Sequence, residues 1–288
     1  EIHKKNLARI YEEIELPLMP IVEKMQDRGV KIDTKYLAKL SEEYHVELAK
    51  REKAIWKHTG LEFNINSPKQ LGEILYSKMN LAPKGLKKTA GGALSTRESE
   101  LEKIKDLHPI IPEILLYREF QKLLSTYIDT IPNLLAKDGR LHATFLQAGT
   151  TTGRMSSNNP NLQNIPIKTE LGRKIRNAFI AEKGFVLLDF DYSQIELRVA
   201  AFLSGDEKLI EIFKSGRDIH TEVAAQIFKV PLPKVDKEMR RRAKVINFGI
   251  LYGMGVNALR QNLGTDKAEA QQFYDNYFAT FSGLASYL

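Results

Sequence analysis

Two carboxylates follow an unbroken apolar run near the middle of the chain. The run, residues 185–188 (FVLL), predicts a short strand that is buried on both faces. Asp189 and Asp191 come directly after it. Because strand side chains alternate, both carboxylates should point to the same side, at the rim of a sheet where a hard cation can reach them. A helical pattern follows, with apolar residues at Ile195, Val199, Phe202 and Leu203.

Asp191 also has a simpler interpretation. Aspartate is a preferred N-cap residue, so Asp191 could do no more than begin the helix that follows the strand. The position of the carboxylate alone does not separate a helix cap from a cation ligand.

A second stretch, residues 236–252, predicts a helix with one chemically distinct face. Arg240, Lys244, Phe248 and Tyr252 are spaced by four residues. Each step of four drifts by about 40°, so these side chains share a stripe about 120° wide and about 18 Å long. Ala243, Val245, Ile246, Ile250 and Leu251 occupy much of the remaining surface and can pack.

This stripe suits a nucleoside triphosphate that lies along the helix. The two cations would bind the β- and γ-phosphates, Phe248 would lie against the sugar or base, and Tyr252 would stand where the incoming base meets the templating base. The alternative is an amphipathic helix whose exposed face happens to be basic.

The elements that must position these residues are mostly helical. Residues 1–33 predict a helix that ends at Gly29, followed by a short extended segment, and its apolar positions are Leu7, Ile10, Ile14, Leu18, Ile21, Val22 and Met25. A long amphipathic helix should run from Thr34 to about Thr59, with Leu37, Leu40, Tyr44, Leu48 and Ile55 on one stripe. Ser67 and Pro68 predict the start of another helix.

The next part of the chain alternates between loops and ordered segments. Residues 82–96 hold three glycines and three lysines without a period and predict a mobile basic loop. Residues 109–136 predict a pair of helices, and 141–147 predict a strand. The polar, turn-rich stretch 150–166 predicts a loop. We expect boundaries near residues 138 and 206.

Composition excludes several classes of protein. The 288 residues contain no cysteine, which rules out disulfides and cysteine-ligated zinc in this chain. No apolar run approaches the roughly 20 residues that span a bilayer, and the first residues lack the apolar core of a signal peptide. We therefore expect a protein without membrane attachment, located in the cytoplasm. The net charge of +7 is compatible with a polyanionic partner but does not require one.

Several phrases resemble the signatures of family A DNA polymerases, the DNA polymerase I type. DYSQIEL followed by GRDIHTE resembles motif A, and RRRAKVINFGILYG resembles motif B. TTTGRMSSNNPNLQNIP resembles a loop that lies against the primer–template. NINSPKQL, KKTAGGALST and HPIIPEILLYREFQKLLSTYID resemble the thumb. The resemblance covers the whole chain.

The resemblance implies an α+β, mostly helical right-hand architecture in which the chain is truncated at its C-terminus. Residues 1–33 would be a helix associated with the palm, 34–138 the helical thumb, 139–205 part of an antiparallel palm, and 206–288 incomplete helical fingers. The implied activity is template-directed DNA synthesis, in replication and repair, by a bacterial or phage-type enzyme. The implied partners are primer–template DNA and dNTPs, and the chain would act as a monomer.

The resemblance also assigns roles to individual residues. Asp191 would bind two Mg²⁺ ions, which Mn²⁺ can replace, with help from the backbone carbonyl of Tyr192; Lys244 and Arg240 would neutralise the leaving group. The residues expected to bind the nucleotide are Gln194, Glu196, His220, Arg240, Lys244, Phe248 and Tyr252. Those expected to contact DNA are Asn64, Asn66, Ser67, Lys88, Ser95, Lys122, Thr126, Tyr127, Arg154, Gln163 and Asn164.

Two departures from the family pattern affect these expectations. The second catalytic carboxylate lies in an HDE motif after motif B, and no such motif occurs here, so we expect a fragment that cannot complete a two-metal site by itself. Asp189 stands where a small uncharged residue would serve equally well.

Glu196 is expected from the resemblance to crowd the sugar 2′ position and so to favour deoxynucleotides. Two alternatives remain: a non-catalytic module that binds primer–template DNA, or an RNA-copying (reverse-transcribing) or ribonucleotide-using relative.

Overall fold

The chain folds into two compact units. A computed structural model describes residues 2, 5, 7–167 and 169–288. The first unit extends to Leu188 and the second is Asp189–Leu288. Both are mainly helical, and the short antiparallel strands of the described residues all lie in the first, so the mostly helical α+β class is confirmed. The finer division into four regions stays a prediction.

The first unit contains seven α-helices among the described residues. They are α1 (Ala8–Ile10), α2 (Leu16–Arg28), α3 (Thr34–Thr59), α4 (Pro68–Gly72), α5 (Glu98–Leu101), α6 (Ile110–Leu123) and α7 (Glu170–Arg176). The π-helical turns are Tyr11–Glu15, Glu73–Lys78 and Leu124–Ile128, and the 3₁₀ turns are Glu102–Ile104, Ile131–Leu134 and Leu162–Asn164. In the described part of the chain, no helix is long and apolar enough to cross a membrane.

Helix α3 has the bounds that the sequence predicts. The Asp33 carboxylate accepts a hydrogen bond from the Tyr36 amide at 2.9 Å, and Gly60 ends the helix in a left-handed conformation. Its predicted apolar stripe is buried except for the half-buried Leu48. The α6 region differs from the predicted helix pair, because α6 runs directly into the π-helical turn and then into a 3₁₀ turn.

Two small sheets replace the single strand predicted for residues 141–147. The first sheet has the order β2 (Arg140–Leu141), β1 (Val30–Ile32), β5 (Phe179–Ile180). The second pairs β3 (Thr144–Leu146) with β4 (Ser156–Asn158). The chain changes pairing partner between Leu141, opposite Val30, and Thr144, opposite Asn158. The prediction of one continuous strand was wrong because pairing partners are set by distant segments.

The N-terminal helix is shorter and more exposed than predicted. It is interrupted by the π-helical turn Tyr11–Glu15, and Pro20 lies inside α2. Val22 is its one buried residue among those described, whereas Ile14 and Ile21 are each 56% exposed. Four residues of the predicted helix, at positions 1, 3, 4 and 6, lie outside the described residues.

Gly29 ends α2 in a conformation that only glycine adopts readily. Its φ is 59° and its ψ is −174°. A Cβ at this position would stand 2.8 Å from the Leu141 carbonyl oxygen and 2.9 Å from the His142 ring. We expect Gly29→Ala to lower the free energy of unfolding by about 2–4 kcal/mol, measured by urea denaturation.

Gly60 provides the matched control for Gly29. It also ends a helix with a positive φ, of 69°, but an added Cβ would meet nothing within 4 Å. Gly60→Ala should therefore cost only the backbone strain, about 1 kcal/mol. Equal losses in the two variants would contradict the close approach of β2 to Gly29.

The second unit is built from seven α-helices. They are α8 (Ile195–Ser204), α9 (Glu207–Lys214), α10 (Ile219–Phe228), α11 (Lys237–Leu251), α12 (Val256–Leu263), α13 (Lys267–Thr280) and α14 (Ser282–Tyr287). They enclose one buried core, to which α8, α10 and α11 contribute Leu197, Val223 and Ile246. Asp206, Asp218, Asp236 and Asp266 each accept a hydrogen bond at the start of the helix that follows.

The strand predicted for residues 185–188 is not formed. These residues have no regular secondary structure, and Phe185 and Val186 are 61% and 75% exposed. No described segment forms a ladder with them, so their side chains have no layer against which to pack. An apolar run shows that burial would be favourable, but it does not supply the neighbouring strand.

Helix α8 forms where the apolar pattern indicates a helix, but it buries its other face. Leu197, Ala200 and Ala201 lie in the core. The four residues of the predicted stripe, Ile195, Val199, Phe202 and Leu203, are between 40% and 80% exposed. The small Ala200 and Ala201 side chains allow close packing against the neighbouring helices.

Candidate functional site

Helix α11 presents the predicted stripe on its exposed side. Ala243, Ile246, Asn247 and Ile250 are buried and fix the orientation of the helix. Arg240, Lys244 and Tyr252 are exposed, and Phe248 is half-buried. At 100° per residue these buried positions span an arc of about 100° that does not overlap the stripe, and Val245, which was expected to pack, is 42% exposed. The helix therefore displays two cations and two aromatic rings on one accessible face.

Arg240 is held by a carboxylate from the N-terminus of α10. Its Nε and Nη2 atoms donate to Asp218 at 2.7 and 3.1 Å. The Thr221 hydroxyl and backbone amide also donate to Asp218, at 2.5 and 3.1 Å. Burial alone would raise the pKa of Asp218, but these hydrogen bonds outweigh it and hold the pKa well below its usual range.

Gln194 connects the aspartate segment to the same carboxylate. Its Nε2 atom donates to Asp218 at 2.9 Å, and its φ of 54° is in the left-handed region. Asp191 precedes Gln194 by three residues, so it lies within about 11 Å of Gln194 along the chain. Both Asp189 and Asp191 are exposed.

His220 lies beneath the stripe instead of on the surface. The ring is 1% exposed and its centroid is 5.7 Å from that of Phe248. Asn247 Nδ2 donates to His220 Nδ1 at 3.0 Å, which assigns the ring proton to Nε2. Neither His220 Nε2 nor Asn247 Oδ1 has a hydrogen-bond partner among the described residues. In this conformation the ring supports Phe248, and its expected phosphate contact stays a prediction.

Burial of the His220 ring should also make the free energy of unfolding depend on pH. It lowers the pKa of His220 to about 4; Asp218 opposes the shift, and Arg240 and Lys244 reinforce it. In the unfolded chain the ring titrates near 6.5, so the unfolded state binds more protons between these two values. The free energy of unfolding should fall from pH 7 to pH 4, with His220 contributing up to about 3 kcal/mol of the loss.

The glutamine variant isolates this contribution. Urea denaturation of His220→Gln and of the unmodified chain, each at pH 7 and pH 4.5, should show a smaller loss for the variant. Other titrating groups remain in both chains and cancel in the comparison. Identical losses would show that His220 is not buried in its neutral form.

The residues predicted to contact DNA lie in the first unit, and most of their side chains are accessible. Asn64, Asn66, Lys88, Lys122, Thr126, Arg154, Gln163 and Asn164 are exposed, and Ser67 is half-buried. Two residues are buried instead. The Ser95 hydroxyl accepts from the Arg97 amide at 3.3 Å, and the Tyr127 hydroxyl donates to the Asn164 carbonyl at 2.5 Å. Tyr127 thus fastens the loop 150–166 to the helical layer.

Comparison with known proteins decides the family. The model of DNA polymerase family A matches residues 34–288. The chain belongs to this family. The family membership that the motifs predicted is confirmed.

Relatives of this family A polymerase chain include bacterial DNA polymerases I. The thermostable enzyme of Thermus aquaticus is 48% identical over 286 residues, which are 99% of this chain and 34% of the relative. The enzyme of Deinococcus radiodurans is 48% identical over 281 residues, 97% of this chain and 29% of the relative. The chain thus spans about a third of the length of these relatives.

A solved structure supports the same conclusion about the fold. It is the POL domain of Pol1 from M. smegmatis in complex with DNA primer-template and dNTP. It superimposes on this family A chain with a TM-score of 0.89 at 36% sequence identity, covering 99% of this chain and 50% of that one.

The described residues of this family A chain offer few candidate metal ligands. Family A DNA polymerases use divalent metal ions. Within the described residues, no group of three or more histidine, aspartate or glutamate side chains could hold an ion. Asp191 and its neighbour Asp189 are exposed carboxylates in a segment without regular secondary structure. Mg²⁺ is usually held by one or two protein carboxylates together with waters and substrate phosphates, so these two carboxylates could supply the protein's share of one ion's coordination.

Sequence reasoning missed two residues of the site, Asp218 and Asn247. Asp218 lies inside the GRDIHTE phrase, and its position before a helix predicts an N-cap. Nothing local signals its bond to Arg240, 22 residues later. Asn247, in the middle of an amphipathic helix, signals a buried polar contact, but the sequence does not name His220 as the partner.

Proposed function

We propose that this chain is the part of a template-directed DNA polymerase that holds the incoming dNTP and the primer–template. The observation that carries the proposal is the exposed stripe on α11, whose two cations and two rings match the order of phosphates, sugar and base. Lys244 and Arg240 bind the β- and γ-phosphates, and Phe248 packs against the sugar or base. Tyr252 meets the templating base.

Further residues of the second unit refine the choice of substrate. Glu196 lies in the first turn of α8, two residues after Gln194. We propose that it crowds the 2′ position of the sugar and so selects deoxynucleotides over ribonucleotides. Glu196 lies in the first turn of α8, and Asp218 holds the start of this helix through its hydrogen bond with Gln194.

The first unit is proposed to bind the sugar–phosphate backbone of the DNA duplex. Lys88, Lys122 and Arg154 supply positive charge, and the exposed amides of Asn64, Gln163 and Asn164 supply donors. The resulting affinity for primer–template DNA should decrease as salt rises, because lysine and arginine contacts release counterions from the phosphates. A monomer in the cytoplasm fits this function.

Asp191 and the backbone carbonyl of Tyr192 are the Mg²⁺ ligands proposed for this chain. Because the sequence contains no counterpart of the second carboxylate motif of this family, we expect the 288-residue chain to bind a primer–template without extending the primer in Mg²⁺ and dNTPs. Primer extension followed by gel electrophoresis tests this, and robust extension would contradict the incomplete metal site.

Binding measurements separate the proposal from a module that only binds DNA. A fluorescently labelled hairpin duplex reports DNA affinity, and calorimetry with dATP and Mg²⁺ reports nucleotide affinity. The proposal expects both to bind. Duplex binding without nucleotide binding would favour the non-catalytic module, and preference for ATP over dATP would favour a ribonucleotide-using relative.

A further inference from the structure

The Asp218 carboxylate joins three helices of the second unit. It caps α10 through Thr221, holds Arg240 of α11 and accepts from Gln194 at the start of α8. Both carboxylate oxygens are used. Arg240 Nη2 and Gln194 Nε2 donate to one of them, at 3.1 and 2.9 Å, and Arg240 Nε and the Thr221 amide donate to the other. A helix cap alone needs only one of these bonds.

The geometry leaves part of Arg240 available. A guanidinium has five N–H donors, and Asp218 takes those of Nε and one of Nη2. Nη1 makes no hydrogen bond within the described part of the chain, and the side chain is 46% exposed. The carboxylate therefore fixes one edge of the guanidinium and leaves the other edge open to a ligand.

Gln194 is held in the same way. As a non-glycine residue with φ of 54° and ψ of 39°, it occupies a sparsely populated conformation that its surroundings must maintain. The bond from Nε2 to Asp218 supplies such a restraint. The Oε1 atom of Gln194 has no hydrogen-bond partner within the described residues, so the amide can still turn one polar atom toward a ligand.

We propose that Asp218 is a positioning residue of the nucleotide site, which pre-orients the Arg240 guanidinium and the Gln194 amide toward the triphosphate. The proposal rests on the function proposed for α11. Pre-orientation increases affinity because the rotamer freedom of a long arginine side chain is lost before the ligand arrives.

Two simpler roles for Asp218 predict different results. If it were only a helix cap, replacement by asparagine would change little, because asparagine caps as well as aspartate. If it were only a negative charge near the phosphates, its removal would strengthen triphosphate binding. Positioning predicts the opposite sign, a loss of affinity for the triphosphate.

The test compares Asp218→Asn with Asp266→Asn by calorimetry with dATP and Mg²⁺. Asp266 caps α13 through the Glu269 amide at 2.8 Å and is exposed, so it is a matched control for the cap. We expect Asp218→Asn to weaken dATP binding about tenfold and Asp266→Asn to leave it unchanged. Unchanged or tighter binding by Asp218→Asn would overturn the proposal.

A spectroscopic readout shows whether the effect passes through Arg240. The Arg240 Nε–H resonance of ¹⁵N-labelled chain should be protected from exchange in the unmodified protein and exposed in Asp218→Asn. In the Arg240→Ala background, Asp218→Asn should weaken dATP binding by clearly less than the tenfold expected in the unmodified chain, because only its effect through Gln194 remains. Additive losses would overturn positioning through Arg240.

Failure of the proposed function gives a different pattern. If Arg240→Ala weakens dATP binding and Asp218→Asn does not, α11 binds the nucleotide and only the role of Asp218 is wrong. If the unmodified chain does not bind dATP, both the proposed function and the positioning role are overturned.

Discussion

Replacement of Lys244 by alanine should weaken dATP binding to this chain by about 10- to 100-fold, because a charge-assisted contact to phosphate contributes about 1.5–3 kcal/mol. Lys244 is exposed in the middle of the α11 stripe, so its removal leaves the buried face of the helix intact. Calorimetry with dATP and Mg²⁺ measures the effect directly. The melting temperature should stay nearly the same.

Lys208 of α9 is the matched control. It is an exposed lysine in the same unit, so Lys208→Ala makes the same change in net charge. We expect its dATP affinity to equal that of the unmodified chain. A comparable loss in both variants would show that the nucleotide responds only to overall charge and not to the stripe.

Replacement of Asp206 by alanine should have the largest effect on stability, a loss of about 3–5 kcal/mol in the free energy of unfolding. The residue is 2% exposed, and its two carboxylate oxygens accept from the Leu209 amide at 2.9 Å and the Leu284 amide at 3.1 Å. One side chain therefore begins α9 and ties it to α14. Alanine would leave two buried amides without partners.

Asp266→Ala separates this effect from ordinary capping. Asp266 is an exposed N-cap with one bond of the same kind, so its loss should cost about 1 kcal/mol in the same urea denaturation. If both variants lost equal stability, the bond between Asp206 and α14 would contribute nothing.

The parts of the fold that could be predicted are those set by neighbouring residues. The long helix from Thr34 to Thr59 follows from a cap at Asp33, a stop at Gly60 and a periodic stripe between them. The α11 stripe follows from spacing alone, and its exposure follows from the apolar residues on the other side. Each of these signals lies within one helix.

The parts that failed depend on distant partners. The run at 185–188 has the composition of a buried strand, but no described strand pairs with it. Residues 141–147 were predicted as one strand because the sequence does not show that Leu141 and Thr144 pair with different segments. Sheet pairing is a property of the assembled chain, which local composition does not encode.

In the candidate site, too, the residues could be predicted from local signals but their distant partners could not. Helical spacing identified Arg240, and the family resemblance identified Gln194, but neither identified the carboxylate that both of them bind. The resemblance assigned His220 a phosphate contact, which stays a prediction, and the structure buries the ring beneath Phe248. Spacing identifies which residues share a helix face, and only the packed helices show which polar groups face each other.

The central claim is that the α11 stripe binds the nucleotide. A ¹⁵N NMR titration of the 288-residue chain with dATP and Mg²⁺ tests it residue by residue. The claim predicts that the largest shifts fall on the amides of Arg240, Lys244, Phe248 and Tyr252 and saturate together. Saturable shifts confined to other helices, such as α9 or α13, or no saturable shifts at all, would contradict it.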